Sequence, residues 1–92
     1  MFSYQRVSVP DGVLLREVAG EAVILNLTTE TYFGLDEVGT SMWRALTGCE
    51  TVQCAYQVLL DEFDVDPEVL RSDLSKLLEE LVAHGLLELD PA

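Results

Sequence analysis

The chain has 92 residues, of which 49% are apolar and 24% charged, and its formal net charge is −12. This length has room for one domain, expected to span 1–92 with its core at about 11–89. The acidic balance disfavours contact with nucleic acid and with anionic membrane surfaces. No apolar run approaches the roughly 20 residues of a membrane span, and the first residues lack the apolar core of a signal peptide, so a cytoplasmic location is expected.

Two runs of β-branched and aliphatic residues come first in chain order. They span 13–18 and 21–27, and the Ala-Gly pair between them supplies the glycine that a tight hairpin needs. A polar turn at 26–30 then leads to Thr31–Leu35, whose threonine and aromatic residues favour a third strand. The sequence therefore predicts a three-stranded antiparallel meander.

Three helices are predicted after the strands. Asp36 and Thr51 are suitable N-caps for the first two, because apolar residues at helical spacing follow each of them; in the first helix these include Val38. The third helix has clearly marked ends, with Pro67 at its first position behind an aspartate cap and Gly85 just past its end.

A short strand at 86–89 completes an α+β layout of three strands followed by three helices, and the last two helices resemble a winged helix-turn-helix. A DNA-reading third helix would need an excess of basic residues. This one carries only Arg71 and Lys76 against four acidic residues. We therefore expect no nucleic-acid partner, and a winged-helix transcription regulator remains as an alternative.

The groups that catalysis requires are sparse. The sole histidine, His84, lies in the last predicted helical turn, where it can interact with the helix dipole. Cys49 and Cys54 cannot form a zinc cluster or a Cys-x-x-Cys pair and are interpreted as small packing residues. The acidic run at 61–68 lacks the glycine and glutamate of a calcium loop. We expect no enzyme activity, no catalytic residue, no metal site and no cofactor.

The third predicted strand offers an unprotected sheet edge. Thr31–Leu35 contains neither charge nor proline, whereas the first strand contains Arg16 and Glu17. An extended peptide could therefore add to this edge, with apolar residues of the third helix lining a groove for its alternate side chains. The same edge could pair with a second copy and give a homodimer. Taken one at a time, Tyr32, Phe33 and the helix leucines would more often be plain core residues.

Several short motifs lie at the strand-to-helix junction and along the helices. They are Tyr32-Phe33-Gly34-Leu35-Asp36-Glu37-Val38-Gly39 running into Met42-Trp43, Gly48 with Thr51-Val52, Leu59 with Phe63-Asp64-Val65, and Val69 with Asp73, Leu77, Leu81 and Gly85-Leu86-Leu87. On these motifs, the stretch from Leu25 to Leu89 resembles the PqqD-like family, the RiPP recognition elements. One departure is Asp36, where many members have asparagine.

The resemblance implies a domain that binds the leader of a ribosomally synthesised precursor peptide, presents it to a processing enzyme and does no chemistry itself. In that family the leader adds as a strand beside the third strand and rests against the third helix. The corresponding residues here are Thr31, Tyr32, Phe33, Gly34, Leu35, Val69, Leu70, Asp73, Leu74 and Leu77.

The resemblance extends to two kinds of pathway. A stand-alone domain of this size is similar to those of lasso-peptide biosynthesis, where the partner is a leader peptidase. It is also similar to PqqD itself, which serves a radical-SAM enzyme, and this stays as the alternative partner. The overall acidity, together with Asp73 on the groove side, would suit a leader that contains Lys or Arg.

Overall fold

A computed structural model of the protein describes residues 6–90. The elements within this range are β1 (Arg6–Ser8), β2 (Val13–Val18), β3 (Glu21–Asn26), β4 (Thr31–Leu35), α1 (Glu37–Gly48), α2 (Val52–Glu62), α3 (Pro67–Ala83) and β5 (Glu88–Asp90).

Strands β2, β3 and β4 form the predicted antiparallel meander, in that order across the sheet. The β2–β3 turn places Ala19 and Gly20 at φ of 55° and 84°, and two successive positive φ values match the right-handed twist of a tight hairpin. The β3–β4 register runs from Asn26 opposite Thr31 to Ala22 opposite Leu35. The prediction of three strands is confirmed, and β4 lies at one edge of the sheet.

A second, two-stranded sheet joins β1 to β5, with Val7 opposite Leu89. The sequence does not predict β1, because three residues are too few to show a strand period. The predicted strand at 86–89 is shifted: Leu86 and Leu87 are buried in the core, and the strand begins at Glu88.

The helix ends follow from local side chains, as predicted. Asp36, Thr51 and Asp66 each accept a backbone N–H of the helix that follows, at 2.7, 3.1 and 2.8 Å. Such caps satisfy N–H groups that have no partner within the helix. Gly85 takes φ of 72° after α3, the left-handed conformation typical of glycine at a helix end. No helix within 6–90 has the length and apolar content to cross a bilayer.

The core lies between the helices and the inner face of the larger sheet. Its buried apolar residues are Val13, Ala22, Ile24, Leu35, Met42, Trp43, Ala45, Leu46, Val52, Ala55, Tyr56, Leu59, Leu70, Leu74, Leu78, Leu81, Leu86 and Leu87. Cys49 packs against this core as predicted, but Cys54 is exposed at the start of α2, so its interpretation as a packing residue is wrong.

Candidate peptide-binding site

The β4 strand has one free edge. Within residues 6–90 it pairs only with β3, and its residues make no further backbone hydrogen bond. Alternate N–H and C=O groups of an edge strand point away from its neighbour and can pair with an added strand. The opposite edge of the sheet is more polar, because Arg16 and Glu17 lie in β2, where Glu17 pairs with Arg44 of α1.

The two faces of β4 have different surroundings. Phe33 and Leu35 lie on the inner face, opposite the buried residues Ile24 and Ala22, with Phe33 half-buried and Leu35 buried. Tyr32 lies on the outer face and is 76% exposed. A peptide strand added beside β4 would continue this alternation, so half of its side chains would face the helices.

The middle of β4 lies against the end of α3. The rings of Phe33 and His84 have their centroids 5.4 Å apart and are tilted by 58°, a favourable aromatic arrangement. The Nδ1 atom of His84 lies 2.7 Å from the carbonyl oxygen of Glu80, as the predicted role at the helix end requires. The strand and the C-terminal end of α3 are therefore neighbours.

The start of α1 and the start of α3 share a small cavity of about 80 Å³. Asp36 caps α1 directly after β4, so the cavity lies beside the helix that follows the strand. Its lining is apolar except for one carboxylate. The lining residues are Val38, Met42, Phe63, Val65, Val69, Leu70 and Asp73.

A stripe of α3 residues connects these two contacts. Val69, Asp73 and Leu77 are spaced by four residues, and His84 falls on the same side at about 100° per residue. The stripe covers about 22 Å at 1.5 Å per residue, the length of roughly six or seven residues of extended peptide. We call the space between β4 and this stripe the β4–α3 groove, defined by Phe33, Val38, Val69, Asp73, Leu77 and His84.

The ten residues that the sequence predicts for the site lie in different environments. The β4 residues provide the edge, and Val69, Asp73 and Leu77 line the groove. Three others are buried: Leu35, Leu70, which also lines the cavity, and Leu74, at 0% exposure. These three support the groove from the core.

Two groove residues lie outside the predicted set. Val38 is predicted only as one of the apolar residues at helical spacing in α1; it is 49% exposed and lines the cavity. His84 is predicted only to interact with the end of α3. Its contact with Phe33 depends on tertiary structure and leaves no signal in the sequence.

The groove offers hydrogen-bonding backbone and apolar contacts. Along this side of α3 the exposed charges are Asp73, Lys76 and Glu80, so acidic groups outnumber basic ones. Arg71 lies elsewhere, with its guanidinium 5.4 Å from the Tyr56 ring centroid on α2. Within 6–90, no three or more His, Cys, Asp or Glu side chains are grouped to hold a metal ion. This arrangement is typical of a peptide-binding groove.

The family model for coenzyme PQQ synthesis protein D (PqqD) matches residues 21–87. This match spans most of the chain, from β3 to the residues before β5. The chain belongs to the PqqD family. No curated protein sequence matches it significantly.

Two solved structures are similar to this chain. TbiB1 in complex with the TbiA(beta) leader peptide is 34% identical, with a TM-score of 0.79 over 87% of this chain and 93% of that one. A lasso peptide synthetase B1 complexed with the leader peptide has a TM-score of 0.78 over 90% of this chain and 98% of that one. Its identity is 16%, so this second likeness shows the fold alone.

Proposed function

We propose that this protein is a non-catalytic adaptor that binds the leader of a ribosomally synthesised precursor peptide and delivers it to a processing enzyme. The observation that carries the proposal is the free, uncharged β4 edge lying beside the α3 stripe that presents Val69, Asp73 and Leu77, with Phe33 and His84 in contact at one end of the stripe. The relationship to TbiB1, whose structure contains a leader peptide, supports the same function.

In the proposed complex the leader adds as a strand to Thr31–Leu35. A five-residue strand can form about four or five ladder hydrogen bonds, each contributing roughly 1 kcal/mol net. Because these bonds involve only backbone, they carry little sequence preference. Specificity would come from the groove, where Val69, Asp73 and Leu77 contact alternate leader side chains while Leu70 and Leu74 hold the helix in place.

The cavity at the α1 end limits the leader residue that it can accept. Its volume of about 80 Å³ is smaller than the roughly 150 Å³ that admits a benzene molecule. An aliphatic side chain therefore fits it better than an aromatic one, and its burial would contribute about 1.5–3 kcal/mol. Asp73 at the rim would favour a Lys or Arg nearby in the leader.

The partner enzyme that we propose is a lasso-peptide leader peptidase. TbiB1, whose structure contains a leader peptide, is 34% identical to this chain over nearly its full length; the second similar structure, a lasso peptide synthetase B1, shares the fold. The alternative is that the protein delivers the leader to a radical-SAM enzyme, as PqqD itself does. The family match supports this alternative. No observation favours the winged-helix regulator.

The test is a titration of wild-type protein against a fluorescently labelled leader of the precursor peptide encoded beside its gene. Saturable binding in the micromolar range or tighter is expected. A labelled DNA duplex in the same assay should show no salt-sensitive binding, because net charge −12 repels phosphates. Absence of leader binding, or a preference for the duplex, would overturn the proposal.

Without a leader, the same edge would be free to pair with a second copy. Two chains of charge −12 repel one another, so we propose that any homodimer through β4 is weak and dissociates when the leader binds. Sedimentation velocity with and without leader tests this, and a dimer that persists in saturating leader would contradict it.

A further inference from the structure

The outer face of the larger sheet is apolar and exposed. The strand register places Leu14, Leu25 and Tyr32 in one row across β2, β3 and β4. Leu14 and Tyr32 are exposed and Leu25 is half-buried, and the exposed Val18 and Val23 lie on the same face. No helix between residues 6 and 90 covers this row, because the core lies on the opposite face of the sheet.

A shallow depression lies beside this row. Arg16, Val18, Val23 and Gly34 contribute to its lining. A Cβ atom built at Gly34 would meet no atom within 4 Å, so the edge strand leaves open space here. We call the surface formed by Leu14, Arg16, Val18, Glu21, Val23, Leu25, Tyr32 and Gly34 the outer sheet face.

The charge of the outer sheet face differs from that of the whole chain. It carries one basic residue, Arg16, and one acidic residue, Glu21, in a chain with 17 acidic and 5 basic residues. Exposed, contiguous apolar surface of this kind marks interaction sites. Two chains of charge −12 would repel each other on approach, so a different protein fits this face better than a second copy does.

The outer sheet face is continuous with the proposed leader site. A strand added beside β4 would lie about 4.8 Å from it and would place alternate side chains on the outer face, next to Tyr32. The bound leader would thereby widen the apolar row by one strand. A protein docked on this face would contact the adaptor and the exposed half of the leader together.

We propose, building on the function proposed above, that the outer sheet face is the docking surface for the enzyme that processes the precursor. The enzyme would present an apolar surface of its own to Leu14, Val23 and Tyr32. Docking there leaves the groove on the inner side of the sheet to the leader. The leader and the enzyme can then bind at the same time, as delivery requires.

The test uses the leader peptidase and the precursor peptide encoded beside the gene for this chain. Leu14→Glu and Val18→Glu place a charge on the outer sheet face in β2, three strand spacings or roughly 14 Å from the leader strand. Val58→Glu is the matched control, because it adds the same charge at an exposed position on α2. The Val58 side chain is 43% exposed, against 51% for Leu14. Affinity for the peptidase is measured by biolayer interferometry, and leader affinity by fluorescence anisotropy.

We expect both outer-face variants to bind the peptidase at least tenfold more weakly than the Val58→Glu control, with leader affinity within twofold of wild type. Val18 is 76% exposed at the end of its strand, so this variant should fold even if Leu14→Glu does not. If the folded outer-face variants bind the peptidase as tightly as the control does, the proposed docking surface is wrong. The proposal that the protein binds a leader would still stand. A wild-type dimer that Val18→Glu dissociates would overturn it in favour of self-association. Failure of wild type to bind the leader would instead reject the proposed function.

Discussion

The side-chain amide of Asn26 donates a hydrogen bond of 3.1 Å to the carbonyl oxygen of Gly85, 59 residues later in the chain. The Oδ1 atom of Asn26 accepts the backbone N–H groups of Thr28 and Thr29 at 3.0 and 3.1 Å. One buried side chain therefore joins the turn before β4 to Gly85, just past the end of α3. It fixes the end of the β4–α3 groove at which Phe33 meets His84.

Replacing Asn26 should destabilise the protein and weaken leader binding. In Asn26→Ala all three hydrogen bonds are lost, and we expect a loss of about 2 kcal/mol in the free energy of unfolding. Thr28→Ala in the same turn should change it by less than about 0.5 kcal/mol, since the Thr28 side chain is exposed. Urea unfolding followed by fluorescence of the buried Trp43 measures both, and equal effects would contradict the bridging role of Asn26.

Replacement of two helical glycines by alanine should have opposite effects on the stability of the protein. A Cβ at Gly39 would lie 3.1 Å from Leu35 Cδ2 and 3.3 Å from Asp36 Oδ1, and neither can move easily because one is buried and the other caps α1. A Cβ at Gly48 would meet nothing within 4 Å. We expect Gly39→Ala to lower stability by about 1–2 kcal/mol, and Gly48→Ala to be neutral or stabilising by up to about 1 kcal/mol. Thermal melts show whether each variant is more or less stable than wild type. Stabilisation by Gly39→Ala would show that the junction between β4 and α1 is loosely packed.

Substitutions at a groove position and at a core position of α3 should have different effects on leader binding and on folding. Val69 is 54% exposed, so Val69→Asp should keep the fold and weaken leader binding about tenfold or more by placing a charge at the cavity. Val58→Asp on α2 is the control and should bind like wild type. Leu74→Asp should instead unfold the protein, because it buries an unpaired charge. Circular dichroism and anisotropy distinguish these outcomes, and wild-type affinity of folded Val69→Asp would argue against the groove.

The charge at the groove rim should affect a basic leader. If the leader carries Lys or Arg beside Asp73, Asp73→Lys should weaken binding about two- to fivefold, as expected for an exposed ion pair, and should reduce its salt dependence. Glu79→Lys makes the same charge change on another side of α3 and controls for the overall field. Titrations at low and high salt measure the effect, and identical behaviour of the two variants would remove Asp73 from leader recognition.

The two cysteines should differ in reactivity. Burial, followed by interactions with Cys54, raises the pKa of the Cys49 thiol to about 11, so almost none of it is thiolate at pH 8. Cys54 is exposed. Iodoacetamide at pH 8 should therefore modify Cys54 first, and the Cys49 rate should keep rising with pH up to about 11. Peptide mapping by mass spectrometry follows both sites, and equal rates at pH 8 would contradict this prediction.

The sequence predicts those features that depend on neighbouring residues. The caps at Asp36, Thr51 and Asp66, and the hairpin at Ala19-Gly20, all form within a few residues and lie where the sequence places them. Because Thr31–Leu35 is the last strand of a three-stranded meander, the sequence also places it at a sheet edge, where the structure has it.

Features that depend on distant contacts could not be predicted. Helical spacing groups Val38 with the apolar residues of α1, but spacing alone does not show that the neighbouring helices leave its side chain 49% exposed. The sequence predicts only an ordinary turn residue at Asn26, because its hydrogen-bond partner Gly85 is 59 residues away in the chain. Strand β1 becomes visible only through its pairing with β5.

That pairing has a consequence for how such domains can be combined. In the β1–β5 ladder, Arg6 lies opposite Asp90, so the backbone enters and leaves the fold about 5 Å apart. A domain with adjoining entry and exit points can be spliced into a surface loop of a larger protein with little strain on its host. The architecture is therefore suited to insertion into the surface loop of a larger protein in an engineered chimera.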